Sequence, residues 1–314
     1  MATTDRPSRQ GAPGDFRLAC HLRHGSSQRD TVRIDARRGL RRLQPMGKKK
    51  RKGAIGRFGS LNTTVRREAP DAPEDDAFAD EVAAMFADGM TEDRVVDAAE
   101  FSANGVDAGQ LFAWERSSDK PACKRGCSYC CHVRVDVTAP ELARLVRVLR
   151  SGPPETLERV KERAAENAPR AHGQPILRYP LKMACALLGD DGACLAYDVR
   201  PNACRNEHSL NANQCKTGFE TAELDVDYPI DRAPDVSFTG GMVLERVNDA
   251  LTRAGVDMTA YELQEALHIA LSEPDAITRW IDGERSFDRA LVNNEGLEQA
   301  AAAAMGLVPL RRKQ

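Results

Sequence analysis

Cys123-Lys124-Arg125-Gly126-Cys127-Ser128-Tyr129-Cys130-Cys131 places four of the chain's nine cysteines within nine residues. Cys185, Cys194, Cys204 and Cys215 follow, and the ninth, Cys20, stands alone near the N-terminus. A solitary cysteine behaves as a small hydrophobe and needs no explanation. Four packed together do need one, because thiolates at this spacing repel each other unless a cation neutralises them. A disulfide framework, a redox pair and a metal site are the chemistries to weigh.

The sequence around the cluster is built from helices and turns. Val133, Val135 and Val137 alternate with Arg134 and Asp136, a short strand-like segment. Thr138-Ala139-Pro140-Glu141 then reads as a capping box, starting a helix through Leu142, Leu145, Val146 and Leu149 that stops at Gly152-Pro153-Pro154. A helix over 155–167 has only Leu157 and Val160 as large apolar residues, which predicts an exposed position.

Upstream, Phe78, Val82, Met85 and Phe86 recur at helical spacing over 76–87. Thr91 is an N-cap for a helix through Val95, Val96 and Ala99, with Glu92 and Asp93 in its electropositive first turn. A third helical piece over 108–116 would bury Leu111, Phe112 and Trp114 before Ser117-Ser118-Asp119-Lys120-Pro121 breaks the pattern.

Downstream, Gly189-Asp190-Asp191-Gly192 is a turn that returns the chain from Cys185 to Cys194. Beyond Phe219 the pattern predicts helices over 241–254, 259–271, 274–281 and 295–305, with Thr259 and Glu262 as a second capping box. The expected fold is mainly α-helical, with a central irregular cysteine-rich metal-binding module and little β structure. Four regions follow: a basic tail over 1–67, an acidic helical segment over 68–117, the cysteine module over 118–218 and a helical region over 219–314.

Charge divides the chain unevenly. Residues 1–67 carry 18 Lys and Arg against four Asp, whereas the remainder carries 27 basic and 43 acidic side chains. The first segment has no helical or strand-like apolar period, so it is expected to be disordered. Its run Lys48-Lys49-Lys50-Arg51-Lys52 reads first as a solvated basic tail, with contact to nucleic acid or an acidic partner as the functional alternative. There is no apolar stretch of membrane-spanning length and no compact apolar segment of the secretory type, so no membrane association and a cytoplasmic location are expected. Thiols stay reduced there, and clustered cysteines bind metal more often than they pair. The sequence also lacks a phosphate-cradling glycine loop, a hydrolytic triad and convincing paired carboxylates. A thioredoxin-like redox pair would need a βαβ pattern that is absent.

Metal chemistry therefore comes first. Tetrahedral zinc and iron–sulfur centres each need about four soft, deprotonated ligands. Cys127-Ser128-Tyr129-Cys130 is a Cys-x-x-Cys step whose sulfurs can meet one metal, and Cys123 adds a third. Cys131 follows Cys130 directly, so the pair can serve two metals or a binuclear centre. Cys185, Cys194, Cys204 and Cys215 complete one site or build a second, Cys215 standing evenly between ligand and bystander. Lys124, Arg125, Arg200 and Arg205 can compensate the charge. His132 and His208 border the cysteines and read first as hydrogen-bonded non-ligands, and Tyr129 and Tyr197 as packing residues.

Two resemblances bear on these residues. Cys123-x-x-x-Cys127-x-Tyr129-Cys130 resembles the motif of radical S-adenosylmethionine enzymes, but the repeating strands of their barrel do not follow it. The whole pattern is longer. It runs from Cys123 through Cys131, then Val133-x-Val135-x-Val137-Thr138-x-x-Glu141, then Cys185-x-Leu187-Leu188-Gly189, Gly192-x-Cys194-x-x-Tyr197-x-x-Arg200-Pro201-x-x-Cys204-Arg205. It resembles the YkgJ-type cysteine-cluster family over about residues 120–206, with Ala186 where that family typically has proline. The resemblance implies chelation of zinc or iron. Flagellin lysine N-methylases have a similar cluster, which implies an iron-dependent or iron–sulfur protein-modifying enzyme as the alternative.

Overall fold

The computed structural model describes residues 76–173, 182–221 and 230–292, within the unit running from Gly53 to Gln314. The basic tail, Cys20 and the helix expected over 295–305 lie outside the described residues. Among the described residues the chain is mainly helical, with nine α-helices and a two-stranded sheet. No helix among them is long and apolar enough to cross a membrane.

Helix α1, Ala77–Ala84, is capped by the Asp76 side chain, which accepts from the Ala79 N–H. Helix α2, Glu92–Arg116, is capped by Thr91 as its sequence suggests, but it is one helix of 25 residues rather than two pieces. Two glycines, one between the pieces and one in the second, serve close packing. A Cβ at Gly109 would stand 3.0 Å from Val243 Cγ2, and one at Gly105 3.2 Å from Val243 Cγ1. Val243 belongs to α7, Pro234–Arg253, which begins seven residues earlier than expected, with a proline in its first turn.

Helix α3, Ala139–Ser151, follows the predicted capping box. Glu141 accepts from the Thr138 N–H at 2.9 Å and from its hydroxyl at 2.8 Å. The strand-like segment before it is β1, Asp136–Thr138, and its partner is β2, Ala260–Glu262. They pair antiparallel, with Val137 opposite Tyr261. This pairing corrects the second capping box: residues 260–262 are strand, so helix α8, Leu263–Ser272, starts later and is capped by Glu262, which accepts from the Glu265 N–H at 2.9 Å.

Helix α4, Pro154–Ala171, is not the exposed helix its composition suggests. Val160, Ala164, Ala168 and Ala171 form a buried stripe facing α8. Alanine adds little to an apolar pattern but permits close approach, which is why the stripe is easy to overlook. Three shorter helices complete the fold: α5, Asn202–Asn206, α6, Ala212–Glu220, and α9, Ala276–Ile281. Helix α6 has no apolar signature and starts at Asn211, whose side chain accepts from the Asn213 N–H. Leu142, Leu145, Leu251, Leu263, Leu267 and Phe287 are fully buried at the common core.

Two substitutions test this framework. The Cβ of an alanine at position 240 would overlap the Asn206 side chain, at the end of α5. In Gly240→Ala the Asn206 side chain must therefore turn aside and give up the bond its oxygen accepts from Gln110 at 2.7 Å. That loss of about 1 kcal/mol should cancel the alanine's usual helix advantage over glycine, measured by denaturant unfolding. Asp76 ties α1 to α7 through Arg246 at 2.9 Å and Arg253 at 3.1 Å. Burial works to raise its pKa, but Arg246, the Ala79 N–H and Arg253 outweigh that and hold the carboxyl below its ordinary value. A depressed carboxylate contributes stability above its unfolded pKa, about 4, and loses it as pH falls through the folded value. The stability difference between parent and Asp76→Asn should accordingly be present at neutral pH and close in acid.

Candidate metal centre

The first cysteine segment is a turn held at both ends. The Ala122 N–H donates to the Ser209 carbonyl at 2.8 Å, and the Ser209 N–H donates to Cys123 Sγ at 3.3 Å. The Cys127 N–H closes a turn on Lys124, with Gly126 at φ +84°. A short 3-10 turn, Tyr129–His132, then carries Cys130 and Cys131. Helix α6 packs on this turn. Phe219 lies 6.0 Å from the Tyr129 ring and 4.5 Å from the His132 ring, centroid to centroid.

The second segment folds against the first. The Cys185 N–H donates to the Cys131 carbonyl at 2.8 Å. The turn from Cys185 to Cys194 forms as its glycines and aspartates suggest, with the Gly189 N–H on the Ala193 carbonyl and Leu188 bridged to Cys194. Gly192 is at φ +75°, and a Cβ there would stand 2.9 Å from the Gly126 carbonyl oxygen. The two cysteine turns thus meet glycine against glycine, with no room for a side chain on Gly192.

Cys204 comes from α5, which Glu141 helps to seat: its second oxygen accepts from the Asn202 N–H at 2.7 Å. Asn202 also donates to the Ser102 hydroxyl on α2 at 2.9 Å. Cys215 comes from α6. No disulfide joins any of the eight described cysteines.

Electrostatics shows which sulfurs act on one another. Burial raises the Cys123 thiol, and Cys127, Cys130 and Cys215 add to the rise. Burial likewise raises Cys215, with Cys127 and Cys130 contributing. Cys204 is raised strongly, first by burial and then by Cys185, Cys130 and Cys194. Cys194 is raised by burial, against the Ala196 N–H and Arg200. A hydrogen bond from Cys131 is the first cause that lowers Cys130, and the same bond, with burial, raises Cys131. All eight sulfurs enter this one network, and Cys215 belongs to it beside Cys123 and Cys127.

The charged and aromatic neighbours divide. Arg200 lies 3.9 Å over the Tyr197 ring and favours the thiolates of Cys130, Cys194 and Cys204. Arg205 pairs with Asp107 and donates to the Asp198 carbonyl at 2.8 Å, so its charge is already matched. His208 is buried with both nitrogens engaged: Nε2 accepts from the Ala233 N–H at 3.0 Å, and Nδ1 lies 3.3 Å from the Asn206 carbonyl. His132 directs Nδ1 to the Ser128 carbonyl at 3.1 Å. Ser209, Asn167 and Gln264 also touch the cysteine segments, and their distance along the chain leaves no sequence signal for them.

The pattern has a counterpart among known families. Residues 122–222 match the family model described as "CxxCxxCC: Putative zinc- or iron-chelating domain". This is the family the cysteine spacing resembles, and the matched span contains all eight described cysteines. No curated protein and no solved structure matches the chain.

The donor set suits such a metal. Eight soft sulfurs, mutually repelling as thiolates, are the donor type that zinc and iron centres use. Among the described residues, however, no three Cys, His, Asp or Glu side chains are already closed into a chelating set.

His208 supplies a prediction. The glutamine oxygen of His208→Gln can take over the Ala233 N–H without offering an imidazole. That variant should keep the parent's metal content, read by elemental analysis, whereas His208→Ala should lower the unfolding midpoint by leaving the N–H buried and unpaired.

Proposed function

We propose that this protein chelates zinc or iron through Cys123, Cys127, Cys130, Cys131, Cys185, Cys194, Cys204 and Cys215, with an iron–sulfur centre as one form of the bound iron. The observation that carries the reading is the gathering of eight thiols from four separated segments, without a disulfide among them. Each raised thiol would lose a proton on binding, and the metal would remove the repulsion that now opposes ionisation. Arg200 would offset the residual negative charge. Thiols persist in a reducing compartment, and we place the protein in the cytoplasm on that ground.

A structural metal has all positions occupied by protein ligands, whereas a catalytic one keeps a position for water or substrate. Eight sulfurs exceed what one mononuclear site can use, which favours saturation by sulfur. Protein purified anaerobically should contain zinc or iron. Cys127→Ala and Cys194→Ala should each lower the content and loosen the turn module, and Cys20→Ala should do neither. X-ray absorption should report a sulfur-only first shell. Equal metal in all three variants contradicts this ligand set, and an exchangeable oxygen in the shell favours the enzyme reading instead.

A further inference from the structure

Cys185 accepts a hydrogen bond from an amide that lies outside residues 122–222. Gln264, on α8 and 1 % exposed, directs Nε2 to Cys185 Sγ at 3.3 Å. Burying an amide in a core is costly unless its groups are bonded. Leu263, Ala266 and Leu267 beside it are fully buried. The side-chain amide of Gln264 bonds to Cys185, to the Ala186 backbone and to Asn167.

Backbone chemistry decides which end of the amide faces the sulfur. The Ala186 N–H can only donate, and Gln264 Oε1 lies 2.9 Å from it. The Ala184 carbonyl can only accept, and Asn167 Nδ2 lies 2.8 Å from it, which identifies that end of Asn167 as its NH2 group. The same Nδ2 donates to Gln264 Oε1 at 2.9 Å. Oε1 therefore meets two donors, and exchanging the ends of Gln264 would set N–H against N–H twice. Nε2 is left facing Cys185, with the sulfur as acceptor.

We propose that Gln264 is a positioning residue for the metal centre, its N–H···S bond fixing the direction of the Cys185 sulfur and drawing charge from it when a metal is bound. The proposal rests on the chelation reading. A thiolate or metal-bound sulfur is a better acceptor than a thiol, and an outer donor both orients a ligand and tunes its basicity. Asn167, on α4, holds the glutamine in turn, so two packed helices set the ligand's position with rigid elements. The cysteine module then depends on the C-terminal helical part of the chain for one of its sulfurs.

Full-length protein allows two independent readouts. In metal-free, nitrogen-15-labelled protein, the Gln264 side-chain amide resonances should move in Cys185→Ala and stay in place in Cys20→Ala. Resonances unmoved by Cys185→Ala would show that the bond is absent. For the metal role, Gln264→Glu keeps oxygens for Ala186 and Asn167 but loses the donor. It should bind cobalt(II) roughly ten- to a hundred-fold more weakly and move the sulfur-to-cobalt charge-transfer band to lower energy, with an unchanged far-ultraviolet spectrum. Gln264→Met, of similar volume and without a donor, should move the band the same way if Gln264→Glu does not fold. Parent-like bands and affinity in either folded variant would reduce Gln264 to loop packing and overturn the proposal. A parent that takes up no cobalt, zinc or iron would instead sink the chelation reading and the metal role with it, while the amide resonances report separately on the bond.

Discussion

Eight sulfurs share one region without a covalent link between them, and that crowding is the constraint to which the rest of the structure answers. Thiols can sit together while neutral, but each one ionised makes the next harder to ionise, and burial acts in the same direction. The raised thiols of Cys123, Cys194, Cys204 and Cys215 express both effects. The bond between Cys130 and Cys131 relieves them locally for Cys130, which it lowers, while raising Cys131. Arg200 relieves them at a distance, for Cys130, Cys194 and Cys204 together.

Such a region is held from outside as well as by its own apolar residues, of which Ala186, Leu187 and Ala196 are buried in the main core. The backbone supplies part of the outside hold. Ser209 pins Cys123, and the Cys131 carbonyl receives the Cys185 N–H. Helices supply the rest. Glu141 joins the start of α3 to the start of α5, and Gln264 reaches from α8 to Cys185. The glycines at 126 and 192 let the two turns approach where any side chain on Gly192 would hold them apart.

Local patterns were legible wherever a few adjacent residues carry the physics. The Thr91 cap, the Thr138–Glu141 box, the turn between Cys185 and Cys194 and the mainly helical class all follow from side chains within a few residues of one another. Composition misled where small residues pack. The 25-residue α2 read as two pieces, although Gly105 and Gly109 within it stand against Val243, and the helix read over 155–167 as exposed buries Val160 and Ala164 and runs on to bury Ala168 and Ala171. The 260–262 segment read as a helix start because its partner strand lies more than a hundred residues earlier.

For the site, the sequence alone determined which atoms are available: eight clustered cysteines, their spacing and the family they resemble, since soft donors at short intervals announce metal chemistry without any fold. Only the tertiary structure decided their company. It joined Cys215 to Cys123 and Cys127 through α6, matched Arg205 to Asp107 while leaving Arg200 over Tyr197, bonded both nitrogens of His208, and brought Gln264 to Cys185. The physical reason is distance along the chain. A hydrogen bond spans about 3 Å whatever the sequence separation, and partners 79 or 86 residues apart leave no periodicity or spacing by which to recognise each other.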